Sequence, residues 1–383
     1  MATSWGNAME AAVAWTPVLA DAAAKGVVVM AVAAGAACAM RRASAAARHL
    51  AWGLALGGLL VLPVLSAALP AWRVLPAWAE MGRVTEAATA QAPVAAKRAE
   101  DIPARMPAAA KNANARDGQR VAVRTARAIQ GAAPAAARAM VQPARRLSAA
   151  EIAAMVLLAW AAGAIVATLP VLAGAFAIWR VRRGSRRIAD AEWAAALREA
   201  KGRLGLKRSV MLLESPRQAM PMVWGVFRTK LLVPAEAQGW TDGRRRVVLL
   251  HELAHAKRWD CLTRLAARVA CAAHWFNPLA WLGYRFLQAE SERACDDLVL
   301  AAGSRPADYA GHILAIVSRA KGRTAEVHAA IAMARRSNLE GRLRAILDEG
   351  RSRRALTRMA IAAAAVVLAA VVVPLSMMKT AAG

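Results

Sequence analysis

Acidic residues are scarce in this sequence: 25 Asp and Glu stand against 52 Lys and Arg, a formal charge of +27. A surplus of that size suits either a nucleic-acid binder or a membrane protein with basic flanks. Aromatic residues are also few, at 5% of 383. No basic stripe interleaves with them, as the stacking platform of a single-strand binder requires. Direct nucleic-acid binding is therefore not expected. Cysteine is the third scarcity. Cys38, Cys261, Cys271 and Cys295 form no C-x-x-C pair. Cys38 lies in an apolar run and the others in a segment assigned below to the cytosol, where disulfides are rare. Small buried thiols are the expectation.

Apolar residues, largely alanine, make up 58% of the chain. Four runs are long enough to span a bilayer. The first extends from Val18 to Met40, with Asp21 and Lys25 leaving its outer end ragged. The second extends from Leu50 to Leu69, with Trp52 and Trp72 as interfacial aromatics near its ends. Arg41, Arg42, Arg48 and His49 lie between them and mark a cytoplasmic turn. A cleaved signal peptide is the alternative for the first run. Glu10 and Asp21 in place of a basic cluster, and the immediate second run, favour a retained hairpin. The third run extends from Ile152 to Trp179, interrupted by Pro170, and Arg180, Arg182, Arg183, Arg186 and Arg187 follow it. The fourth, Met359 to Met377, follows Arg351, Arg353, Arg354 and Arg358. The resulting topology is that of a multi-pass inner-membrane protein. It comprises a hairpin over 1–70, an extracytoplasmic loop over 71–147, the third span in 148–180, a cytosolic domain over 181–354, and the fourth span with a short tail in 355–383.

The 71–147 stretch is rich in Ala, Pro, Arg and Gln. It cannot bury enough apolar surface to offset its ordering entropy, so a flexible loop is expected, with a basic helix only over Val121 to Met140. The cytosolic segment reads as mostly helical. Helices are expected over Ala189–Arg203, Arg245–Arg258, Leu262–Cys271, Leu279–Ala302 and Asp308–Ser318. Strands are expected over Ser209–Glu214 and Val223–Val233.

His251-Glu252-Leu253-Ala254-His255 carries the chemistry. On a helix, i and i+4 share a face, so both imidazoles can bind one zinc ion, with Glu252 placed to take a proton from the attacking water. A hydrolytic zinc site needs a third protein ligand. A histidine six residues on is absent, since position 261 is Cys. Downstream, Glu292 and Asp296 are i, i+4. Glu292 is assigned as ligand and Asp296 as the group orienting a ligand histidine. Glu290 competes, but would point about 160° away from Glu292 on the same helix. A solvated acidic face is the bland alternative for this cluster. Asp260 lies five residues past His255, turned from the ligand face, so capping or arginine pairing is expected of it. His274 is read as a packing residue rather than a ligand, and Tyr309 and His312 as helix-packing residues rather than groups that assist an oxyanion. Trp224, Gly225 and Val226 are a candidate edge to which substrate adds as a strand; a plain core strand is the alternative.

The series Met220-Pro221-Met222-Val223-Trp224-Gly225, Leu232-Val233-Pro234, HELAH with Arg258 and Asp260, His274-Trp275-Phe276-Asn277-Pro278, and Glu292-Arg-Ala-Cys-Asp296 resembles the BlaR/MecR-type antirepressor metallopeptidases, family fifty-six of the metallopeptidases. Arg48-His49-Leu-Ala-Trp52 matches too, and the resemblance covers most of the chain outside Ala71 to Leu147. It implies a mainly α fold: a four-helix transmembrane protein with a cytosolic α+β, gluzincin-like zinc metalloprotease domain between the third and fourth spans. It implies His251, His255 and Glu292 as ligands of one Zn2+, Glu252 as catalytic base, and a cytosolic winged-helix repressor as substrate. Six residues follow the fourth span, where beta-lactam-sensing members carry a penicillin-binding domain. Direct covalent sensing is therefore not expected, and the 71–147 loop or a separate sensor partner would carry the signal. Two other readings stand beside this one. One is an HtpX-like or CAAX-type membrane processing protease, disfavoured by span order. The other is a non-catalytic transmembrane receptor with a structural zinc site, disfavoured by the intact Glu252.

Overall fold

The computed structural model describes residues 2–70, 147–216, 220–321 and 339–378. The expected loop, apart from Leu147, its basic helix, and Trp72 lie outside the described residues. The chain begins with α1 (Ala2–Ala39), a 3-10 turn at Met40–Arg42 and α2 (Ala45–Ala68), then continues with α3 (Ala149–Arg183). After the segments that follow, the last helix is Arg358–Met377, labelled α9. These four helices are long and apolar enough to cross a membrane. Ser44 caps α2 by accepting from the Ala47 amide, which satisfies one of the donors a helix start leaves open. Asp21 and Lys25, expected only to fray the first span, form a buried ion pair. Lys25 Nζ also donates to Ser66 Oγ at 3.3 Å and to the Ser376 carbonyl at 3.4 Å. A charge among apolar helices needs such partners, and here they tie α1, α2 and α9 together. Trp52 is not an interfacial anchor. It is buried and stacks on Phe286 at 5.4 Å.

Between α3 and α9 the order is β1 (Arg186–Arg187), α4 (Ala191–Leu204), β2 (Val210–Ser215), β3 (Met222–Trp224), β4 (Thr229–Pro234), α5 (Asp242–Arg258), α6 (Asp260–Ala273), α7 (Pro278–Ala301) and α8 (Pro306–Lys321). The sheet order is β1-β2-β4-β3, with β2 and β4 parallel and the outer pairs antiparallel. The single strand expected over Val223–Val233 is instead the hairpin β3–β4. Gly225, at φ 95°, reverses the chain after Trp224, and a Cβ there would lie 2.3 Å from the Arg228 carbonyl oxygen. Gly225→Ala is therefore expected to destabilise the fold by more than about 1 kcal/mol. A lowered thermal midpoint of the detergent-solubilised protein checks this, and an unchanged midpoint would show that the turn relaxes.

Two apolar clusters form the interior. One packs Trp193, Leu231, Val233, Leu249, Leu250 and Leu253 between the sheet and α4, α5 and α8. The other packs Met30, Trp52, Leu56, Leu59, Ala270 and Leu287, so that α6 and α7 lie directly on α1 and α2. Burial of Val247 to Leu250 on α5, within the first of these clusters, fixes the turn that follows, His251 to His255.

Candidate metal centre

Thr241 caps α5 by accepting from the Arg244 amide, and the helix then carries His251 and His255 on one face. Their rings stand nearly perpendicular with centroids 4.9 Å apart. Glu292, reaching from α7, completes a triangle. Its Oε2 lies 3.4 Å from His251 Nε2 and its Oε1 lies 3.5 Å from His255 Nε2. The three donor atoms lie within 4.8 Å of one another. The far side of each ring is already engaged. His255 Nδ1 meets Asp260 Oδ2 at 2.8 Å, and His251 Nδ1 meets the Tyr309 hydroxyl at 2.9 Å. Each Nδ1 carries a proton, assigned from these partners, so Nε2 of both rings is the atom turned to the triangle and left to bind a metal. Two imidazoles and one carboxylate, each braced from behind, make a donor set that fits zinc.

The electrostatics call for a cation. Burial pushes Glu292 toward the neutral acid, yet the His251 hydrogen bond, His255 and Arg342 hold it well below its usual range. Arg264 lies 2.7 Å from it and Arg342 3.1 Å. Burial likewise opposes ionisation of Asp296, but Arg342 and His251 bring it to about 2. His251 is raised to about 9: burial favours its neutral form, and the hydrogen bonds to Asp296 and Glu292 prevail. Carboxylates that pull a proton onto a buried imidazole are carboxylates placed to stabilise a metal ion in its stead.

A family model described as BlaR1 peptidase M56 matches residues 21–346, which takes in α2, the sheet and every residue of this cluster. The chain belongs to the M56 peptidase family. The regulatory protein BlaR1 of Bacillus licheniformis is 28% identical over 141 residues, covering 37% of this chain and 24% of the relative. The methicillin resistance mecR1 proteins of Staphylococcus aureus and Staphylococcus epidermidis are each 26% identical over 95 residues, covering 24% of this chain and 16% of the relative. The matched stretches thus span a quarter or less of these relatives' lengths.

Within this M56 chain, Glu252 is half-buried and lines a cavity of about 330 Å³ together with His251, His255, Glu292, Tyr309 and Arg342. β3 is an edge of the sheet, and its Met222 and Val223 line the same cavity. Of the proposed substrate edge, Trp224 ends β3, while Gly225 and Val226 fall in the turn. Glu290 is turned away, pairing with Arg48 at 2.8 Å and Arg293 at 2.6 Å. His274 packs against the Ala270 carbonyl, and His312 lies by Gly243 outside the cluster. Of the thiols, Cys271 and Cys295 are buried, Cys261 is half-buried and Cys38 is exposed.

Three residues do more than their sequence reading gave them. Asp260 pairs with Arg258 as expected, at 3.4 Å, but it also grips His255. The rotation that would turn it away holds only for a continuous helix. α5 stops at Trp259, whose φ of 59° is left-handed, and Asp260 restarts the chain as α6, swung back toward His255. Ser291 Oγ donates to the same Asp260 oxygen at 2.7 Å. Tyr309 is buried in the core, but its hydroxyl donates to Asp296 at 2.6 Å and so links that carboxylate to His251. Arg342, which no sequence motif marked, holds Asp296 through two hydrogen bonds of 2.9 and 2.7 Å. An Asp260→Asn variant is expected to bind metal about 10–100-fold more weakly. Competition against a chromogenic chelator measures this, and equal affinity would reduce Asp260 to a purely structural partner.

Proposed function

We propose that this chain is an integral-membrane zinc metalloendopeptidase of the signal-transducing, antirepressor kind. On this reading it cleaves a cytosolic transcriptional repressor of the winged-helix type. The observation that carries the reading is the triangle of His251 Nε2, His255 Nε2 and Glu292 beside Glu252 in one cavity. His251, His255 and Glu292 would hold the ion beside the cavity. Zinc bound there supplies Lewis acidity, which polarises a scissile carbonyl and lowers the pKa of water toward about 7.

The chain's own groups do the rest. Glu252 takes the proton of the attacking water and returns it to the leaving amine. Asp260 fixes the His255 tautomer, and the Tyr309–Asp296–Arg342 relay fixes that of His251. Arg264 and Arg342 keep Glu292 ionised. The outer edge of β3 would bind an extended substrate by main-chain hydrogen bonds, with Met222 and Val223 receiving alternate side chains.

The repressor comes from the family relationship, and one experiment tests it. The full chain is co-expressed with a winged-helix repressor, and new cytosolic protein termini are compared between wild type and Glu252→Gln. A repressor fragment present only with wild type supports the reading. An intact repressor accompanied by other cleaved membrane proteins would favour a processing protease. Identical termini in both strains would leave a non-catalytic receptor.

A further inference from the structure

We infer that the α6–α7 hairpin of the peptidase domain is itself immersed in the bilayer, with its exposed apolar side against lipid hydrocarbon. The first argument is depth. α7 runs along α2, with Arg48 paired to Glu290, Trp52 stacked on Phe286, and Leu59 and His274 both against Gly26. From Arg48 to Leu59 a helix advances about 16 Å, so the α6–α7 turn reaches the middle of a hydrocarbon layer about 30 Å thick.

α3 gives an independent measure. Trp160 Nε1 donates to the Ala273 carbonyl at 3.0 Å, and Trp275 Nε1 donates to the Trp160 carbonyl at 3.1 Å. Trp160 lies about 30 Å along α3 from Arg180, a longer axial distance than the roughly 16 Å along α2, so this contact places the turn within the layer without fixing its depth. Gly163 allows the approach: a Cβ there would fall 2.1 Å from the Trp275 ring. The turn is thus locked to a span far from that span's basic end.

The second argument is chemistry. No Asp, Glu, Lys or Arg occurs from Val269 to Tyr284, although α6 carries Arg264 and Arg268 just before. Leu262, Leu265, Val269, Phe276, Leu282 and Phe286 are exposed on this hairpin, continuous with the apolar surface of the spans it packs on. A protein partner could cover such a face, but the polar groups of the turn favour lipid. Besides the two indoles on α3 contacts, Trp281 Nε1 donates to the Trp275 carbonyl and Asn277 caps the Leu279 amide. Among the buried side-chain polar atoms of the described turn residues, the Asn277 amide nitrogen alone lacks a hydrogen-bond partner. Internal satisfaction of this kind is what hydrocarbon demands of irregular backbone. Arg268 lies over Trp281 and Tyr284 at 5.0 and 5.5 Å, an arrangement that shields its charge while its stem follows apolar surface. The metal cluster, at the wide end of this hairpin beside Arg48 and His49, therefore sits at the membrane face.

The test uses the full chain in vesicles of phosphatidylethanolamine and phosphatidylglycerol, with a benzophenone side chain installed at position 265, 276 or 282. All three positions are exposed on the hairpin surface, and the probe at 276 keeps an aromatic ring where Phe276 meets Trp275. Position 158 on α3 and position 227, outside the spans, are the references. Irradiation should yield lipid adducts at 276 and 282 comparable with 158 and roughly ten-fold above 227, because hydrocarbon surrounds the first set and water the last. Adducts at the level of position 227 would overturn the inference. So would covalent dimers of the chain in place of lipid adducts, which would make the hairpin face a contact between copies.

Discussion

Glu252→Gln should leave the metal content of the purified full chain unchanged and slow peptide cleavage by about 10²–10⁴-fold. The glutamine side chain keeps the volume of glutamate, so the cavity that Glu252 lines is preserved. What is lost is a base able to accept the proton of water and deliver it to the amine. His251, His255 and Glu292 take their geometry from Tyr309, Asp260 and Arg264, none of which depends on Glu252. Metal stoichiometry by elemental analysis and cleavage by termini mapping must therefore separate in this variant. Cleavage at the wild-type rate would remove Glu252 from the mechanism. Loss of metal together with cleavage would make it a part of the binding site instead.

The helical spans and the His251–His255 pair were legible because each rests on a local pattern: long uncharged runs in one case, i, i+4 spacing in the other. The i, i+4 spacing of Glu292 and Asp296 likewise put both on one side of α7, the side the structure turns toward His251. Glu290 was excluded by helical rotation, and the structure places it on Arg48. The failures have a common cause, since local rules hold only while an element continues. Trp259 ends α5 in a left-handed conformation, so the rotation argument for Asp260 crossed a break it could not see. Gly225 likewise split one expected strand into two. Trp52 follows the pattern of an interfacial aromatic, but α7 packs against α2 and covers it, and no sequence rule announces that a peptidase helix will lie on a span. Arg342 reaches the cluster from a separate segment through two hydrogen bonds to Asp296. A single arginine among many leaves no trace in the sequence that distinguishes it from its neighbours.

On the proposed reading, His255→Ala should abolish cleavage and weaken metal binding by roughly a hundred-fold or more, since it removes one of three proposed protein ligands from a site whose binding energy is shared among few donors. The effect should exceed that of Asp260→Asn, because that change loosens a ligand whereas this one removes it. A second consequence follows from burial. Asp260 is buried, with Ser291, Arg258 and His255 around it. Removing the imidazole leaves a carboxylate oxygen short of a donor, at a cost of about 1–3 kcal/mol. The variant should thus melt earlier even in the presence of chelator, where the metal makes no contribution to either protein. Comparing thermal midpoints with and without chelator separates the two losses. Wild type should fall on chelation, whereas His255→Ala should start lower and barely move. A variant that still responds to chelator as wild type does would place the ion elsewhere and exclude His255 as a ligand.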